Sequence, residues 1–88
     1  MDVRQNVAVI AAYDPCGQLR PLRFRFEGAD RGLHRVDVEQ VVQVREVSYV
    51  GIEALIFLCR ARVEEWERML ELKYTIRSHS WELLRWIY

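Results

Sequence analysis

Along the last nineteen residues, Leu70 to Tyr88, apolar and polar positions alternate with a period of two. Leu70, Leu72, Tyr74 and Ile76 fall on one parity, and Glu71, Lys73 and Thr75 on the other. That is the signature of a half-buried strand. After the polar break Arg77-Ser78-His79-Ser80, Trp81, Leu83 and Ile87 take up an inward set. The pattern predicts a terminal β-hairpin that closes a small sheet or barrel.

The same periodicity runs through the rest of the chain. Residues 5–13 form an apolar run of strand length, ended by the turn Asp14-Pro15-Cys16-Gly17. There proline presets φ, aspartate accepts backbone N–H groups and glycine takes a positive-φ corner. From Pro21 to Glu27, Leu22, Phe24 and Phe26 are predicted inward and Arg23, Arg25 and Glu27 outward. Gly28 to Gly32 is a second turn. Val36, Val38, Val42 and Val44 then share one parity, and β-branched side chains favour a pleat over a helix. Val47 and Tyr49 sit on the other parity, which predicts a bulge near Arg45-Glu46. In residues 52–63, Leu55, Phe57, Cys59, Ala61 and Val63 are expected inward, on a strand that is apolar on both faces at its start.

One stretch resists this reading. Residues 61–74 are good helix formers, and Val63, Trp66, Leu70 and Tyr74 also lie at helical spacing. The strand reading requires a turn at Glu64-Glu65-Trp66-Glu67 without glycine, proline or asparagine. The expected fold is therefore a single all-β domain over 1–88, a small antiparallel barrel or rolled sheet of five to six strands. Its alternative is α+β, an N-terminal β-meander with a C-terminal helix near 61–75.

Composition narrows the functional classes. The 88 residues carry 13 basic and 13 acidic side chains, so no global field attracts nucleic acid or an anionic membrane. Twelve of the basic residues are arginine and only Lys73 is lysine. No run reaches the ~18–20 apolar residues of a spanning helix, and Val7 to Ala12 lacks a signal-peptide leader. A cytoplasmic protein is expected, with no membrane association and with Cys16 and Cys59 as free thiols.

The segments P-L-R-F-R-F-E-G at 21–28, H-R-V-D at 34–37, L-E-L-K-Y at 70–74, W-E-L at 81–83 and the final I-Y resemble, in order, a family of small bacterial domains of unknown function. Its members show F-x-W-x-G-R, a Y-x-V strand, an L-Y-D-like strand and W-x-L-x-R-x-Y near the end. Some are encoded near accessory genes for error-prone DNA polymerases. Phe26 stands where the family often has Trp, and Ala29 where it often has Arg. The resemblance implies a small, mostly antiparallel barrel, with strand rather than helix at 68–76.

The chemical inventory argues against an enzyme. His34 and His79 are far apart in sequence, and no Cys/His pair has zinc-site spacing. Nothing in the spacing demands a Cys16–His34 pair, and Gly28 to Gly32 lacks the lysine and the strand–helix context of a phosphate loop. No catalytic residue, metal or cofactor is expected. An apolar surplus points instead to protein association. Ile56, Leu58, Leu84, Trp86 and Tyr88 fall on outer parities and form the expected interface of a homo-oligomer or protein complex. The alternative is a small nucleic-acid-binding module linked to DNA repair or damage tolerance. It would use Arg23, Arg25, Arg60 and Arg62, which project from two strands.

Overall fold

A computed structural model describes residues 2–88. Six antiparallel strands follow one another around a barrel: β1 (Asp2–Tyr13), β2 (Leu19–Glu27), β3 (Leu33–Tyr49), β4 (Ile52–Val63), β5 (Trp66–Thr75) and β6 (Ser80–Trp86). Each strand pairs with its sequence neighbour, and β1 pairs with β6 to close the ring. The all-β expectation holds, and residues 61–75 are strand, not helix. The contested turn is tighter than expected. Glu64 and Glu65 alone make it, with Val63 opposite Trp66 and Glu64 at φ 56°. Burial of Leu70, Leu72 and Tyr74 against the opposite wall outweighs helix propensity, a weak prior next to tertiary packing.

The predicted turns are built as their residues dictate. Asp14 Oδ1 accepts from Cys16 N at 2.8 Å and from Gln18 N at 2.9 Å, and Gly17 takes φ 84°. At the other end Gly28 N donates to the Gly32 carbonyl, and Arg31 N to the Gly28 carbonyl. A Cβ on Gly28 would sit 2.8 Å from His34 Nε2, so only glycine leaves room for that ring.

Phe24, Val36, Phe57, Cys59, Ala61, Leu70, Leu72, Tyr74, Trp81, Leu83 and Trp86 fill the lumen. Burial pushes the Cys59 thiol up to about 12, which keeps it protonated and inert.

Four expectations about facing fail for one reason. A bulge inserts a residue and reverses the parity beyond it. Between Ile10 and Ala11 the register with β2 shifts, so Pro21 is buried and Leu22 is exposed instead of inward. In β3 the shifts fall at Glu39 and Val42, not near Arg45-Glu46. Val36, Val38, Val41 and Val44 therefore line up with the inward side of β4, and Val42 leaves that set. In β6 the shift at Leu84 turns Trp86 inward, where it is 8% exposed, and leaves Ile87 outside.

Candidate interaction site at the open end

The barrel's two ends differ because β2 and β3 are laced together along only part of their length. Their pairing runs from Glu27 opposite Leu33 to Arg23 opposite Asp37 and then stops. Past that point β3 pairs with β4 alone, as far as Tyr49 opposite Ile52. Leu19, Arg20 and Pro21 of β2 pair only with β1. The two bulges of β3 lie where it leaves β2, and bulges bend a strand. A seam results, closed at Asp37 and widening toward the turns at 14–18, 50–51 and 76–79.

Behind the seam lies a cavity of about 660 Å³ that opens into the lumen. Its apolar wall comes from Leu19, Val41, Val44, Leu55, Phe57 and Ile76. Its polar rim includes Asp14, Arg20, Glu46 and a Tyr74–His79 pair whose hydroxyl and Nδ1 are 2.8 Å apart. Burial, and then the neighbouring Tyr13 phenol, raise the Tyr74 hydroxyl above the ordinary tyrosine value. Tyr74 thus remains a neutral hydrogen-bonding group at the rim.

The free side of β3 is a strand edge. Tyr49 and Ile52 flank a two-residue turn, so they form a hydrogen-bonded pair. Antiparallel alternation then directs the backbone groups of Val44, Glu46 and Ser48 away from β4, toward the seam. Apolar side chains crowd this region: Tyr13, Val42, Val44, Tyr49, Val50, Ile52 and Ile76 are all exposed. The turn itself is strained. Val50 has φ 52° and Gly51 φ 78°, the conformation that Asn-Gly favours and a β-branched residue resists. Val50 is nonetheless 84% exposed, so no packing in the monomer explains it.

The opposite end is plugged. Phe26 meets Trp86 edge-on at 5.2 Å and stacks on His34 at 5.3 Å. Arg68 lies 4.5 Å over the Trp86 ring and donates to the Tyr88 carbonyl at 2.8 Å. His34 Nε2 lies 3.1 Å from Asp30 Oδ1. This contact, then the Gly32 N–H, holds the Asp30 carboxyl below its usual range. Cys16 belongs to a turn at the open end and His34 to the plugged end, so the barrel keeps those two apart.

The residues expected at an interface divide. Ile56 is buried on the outer wall of β4, between Arg45 and Lys73 of its neighbours. Leu58 faces Glu71, and Leu84 is the bulged residue beside the Glu71–Arg85 pair; both are half-buried. Trp86 faces inward in the plug, and Tyr88 is exposed beside it. Ile56, Leu58 and Leu84 therefore surround a buried carboxylate. Glu71 is 3% exposed and accepts from Arg85 Nε at 2.7 Å and Arg45 Nη1 at 3.0 Å. Burial alone would raise its pKa, but the two guanidinium groups outweigh this and hold it below the ordinary glutamate value. These side chains roof the apolar residues, so little of Ile56 remains for a partner.

The four arginines do share one outer wall, on β2 and β4 with β3 between them. Three are spoken for: Arg23 binds Asp37 at 3.1 Å, Arg62 binds Glu39 at 3.2 Å and Arg60 binds Glu67 at 3.5 Å. Among the described residues Arg25 has no carboxylate partner.

Sequence reasoning missed the seam, the free β3 edge and the Tyr13–Tyr74–His79 rim. One signal was available: Val50-Gly51 puts valine where a tight hairpin calls for asparagine or aspartate. Comparison with protein-family models, curated proteins and solved structures finds no match to this chain.

Proposed function

We propose that this chain is a non-catalytic protein-interaction module that receives an extended segment at the seam between β2 and β3. The observation that carries the reading is the one-sided pairing of β3 beyond Asp37. Val44, Glu46 and Ser48 offer backbone donors and acceptors at strand spacing, and only another extended backbone matches that repeat. An added strand supplies the missing hydrogen bonds, and its alternate side chains enter the cavity. The concave, largely apolar wall with a few polar groups at its rim suits such side chains.

Selection from a random phage-displayed peptide library tests this. The protein should enrich peptides with alternating apolar residues, and Glu46→Pro should lose them. That proline removes an N–H from the free edge and leaves the bonds to β4 intact. No enrichment, or equal binding by Glu46→Pro, overturns the reading.

A second reading is a nucleic-acid-binding module, favoured by the gathering of Arg23, Arg25, Arg60 and Arg62 on one wall. Their carboxylate partners weaken it, since they already neutralise most of that charge. Salt-dependent binding of single-stranded DNA, lost in Arg25→Ala, would support it; salt-independent or absent binding would remove it.

A further inference from the structure

We propose that the outer wall of β1, β2 and β3 holds a ligand site, in which a phosphate monoester sits between Arg25 and Arg35 with its planar ring over β1. The site lies where β2 and β3 are laced together, below the seam, and stands on separate observations.

The first observation is a charge excess. Arg25 of β2 stands directly opposite Arg35 of β3. Such partners have Cα atoms about 4.5–5.5 Å apart, and like charges placed so are destabilising. A carboxylate at the same level would relieve the pair, and the wall provides none. Asp37, two residues along β3 on the same face, accepts from Arg35 Nε on both oxygens, at 3.1 and 3.2 Å, and from Arg23 Nε at 3.1 Å. Arg62, opposite Asp37 on β4, turns to Glu39. Glu27, the next outward residue of β2, forms an ion pair with neither Arg25 nor Arg35. Arg23, Arg25 and Arg35 thus share the single carboxylate of Asp37, which leaves an excess of two positive charges. A phosphate monoester carries about −1.5 to −2 at neutral pH and bonds guanidinium groups in a bidentate fashion. A carboxylate or a phosphodiester brings one charge and leaves the other uncompensated.

The second observation is a slot beside that pair. A concavity of about 240 Å³ over β1 and β2 is lined by Ala8, Val9, Ile10, Arg23, Phe24 and Arg25. Ala8 lies opposite Arg25 and gives a floor without bulk, while Ile10 lies opposite Arg23 and forms a side. Ile10 is 59% exposed, and the outward positions Ala8, Ile10 and Ala12 carry no charge. Guanidinium planes stack on flat rings. The slot is smaller than the pocket of a drug-sized ligand and suits one ring system. Neighbouring strands are about 4.8 Å apart. The ring over β1 and β2 and the phosphate over β2 and β3 are therefore separated by one strand spacing, which a single sugar bridges. A nucleoside monophosphate has this form.

Calorimetric titration with adenosine 5′-monophosphate tests the assignment. The chain should bind it, and Arg25→Gln or Arg35→Gln should weaken binding about tenfold to a hundredfold through lost charge-assisted hydrogen bonds. Arg60→Gln should leave binding unchanged, because Arg60 is held by Gln40 and Glu67. Adenosine should not bind, and inorganic phosphate should bind more weakly than the nucleotide. Thermal unfolding without ligand gives a second readout. Arg25→Gln should keep or raise the melting temperature, since it removes a like-charge contact. No binding of the nucleotide, or equal binding by Arg25→Gln, overturns the site. A melting temperature lowered by Arg25→Gln would reveal an intramolecular role for that arginine and overturns it as well. Equal affinity for inorganic phosphate overturns the part assigned to the slot. Tighter binding of single-stranded DNA that lacks a terminal phosphate, weakened also by Arg60→Gln, overturns the site in favour of a nucleic-acid surface.

Discussion

The plugged end and the open end of this barrel are made from similar residues put to opposite use. At the plugged end Phe26 stacks on His34 and meets Trp86 edge-on, and β2 and β3 are hydrogen-bonded from Arg23 to Glu27. At the open end Tyr13, Tyr49 and Val50 stand in solvent and β3 has one neighbour. The difference lies in backbone pairing, not in hydrophobicity. Where two strands are laced together their inward side chains have an opposite wall; where they part, the same kind of residue faces a cleft. Stability should therefore concentrate below the seam, and recognition should belong to the region above it.

The largest expected effect would break that comparison if it failed. Leu83→Ala removes a fully buried side chain and should cost about 2–5 kcal/mol. Val44→Ala, on the half-exposed cleft wall, should change stability by about 0.5 kcal/mol or less. Urea unfolding of both variants gives the two values, and equal losses would mean that the open end is as much core as the plugged one. For the same reason Trp86→Lys should unfold the protein, because Trp86 is part of the plug.

A smaller effect concerns the outer wall that joins the ends. Glu71→Gln should cost about 1–3 kcal/mol, because two charge-assisted hydrogen bonds are weakened at a buried site. The native pKa of Glu71 is lowered, so its contribution is complete above the ordinary glutamate value. That contribution declines as pH falls through the ordinary range and is gone below the lowered native value. The variant should therefore lose less stability than the parent between neutral and acid pH. A parallel pH dependence in the two proteins would show that the Arg45 and Arg85 contacts do not govern Glu71.

The smallest effect carries the sharpest contrast between stability and recognition. Val50→Asn relieves a left-handed valine and should stabilise the single chain by about 1 kcal/mol. It should at the same time weaken binding of the peptides selected at the seam. A variant gaining both stability and affinity would show that Val50 has no part in recognition.

Much of the fold is legible in the sequence because each strand has enough inward residues on one parity. Val36, Phe57, Cys59, Leu70, Leu72, Trp81 and Leu83 are inward as their spacing predicts. The failures sit at Leu22, Val42, Trp86 and Ile87, at the bulges or just beyond them. No glycine marks these bulges; each accommodates unequal path lengths on neighbouring strands, which a single strand's pattern does not encode. Glu71 is hidden for a related reason. It has outward parity and a polar side chain, and its burial depends on Arg45 and Arg85 arriving from other strands. The candidate site was missed because it consists of backbone left unpaired between β2 and β3, a relation between strands that hydropathy does not register.

The closure of β1 on β6 also bears on how the chain reaches this shape. Five of the six pairings are hairpins between sequence neighbours and can form soon after their turns. The sixth joins Val7 to Trp81 across nearly the whole chain. Until that seam zips, the meander is an open sheet with two raw edges and an uncovered apolar face, the species most prone to mispairing. Folding speed should therefore be governed by this single long-range closure. Slow closure would place the greatest aggregation hazard in the moments before the first strand meets the last.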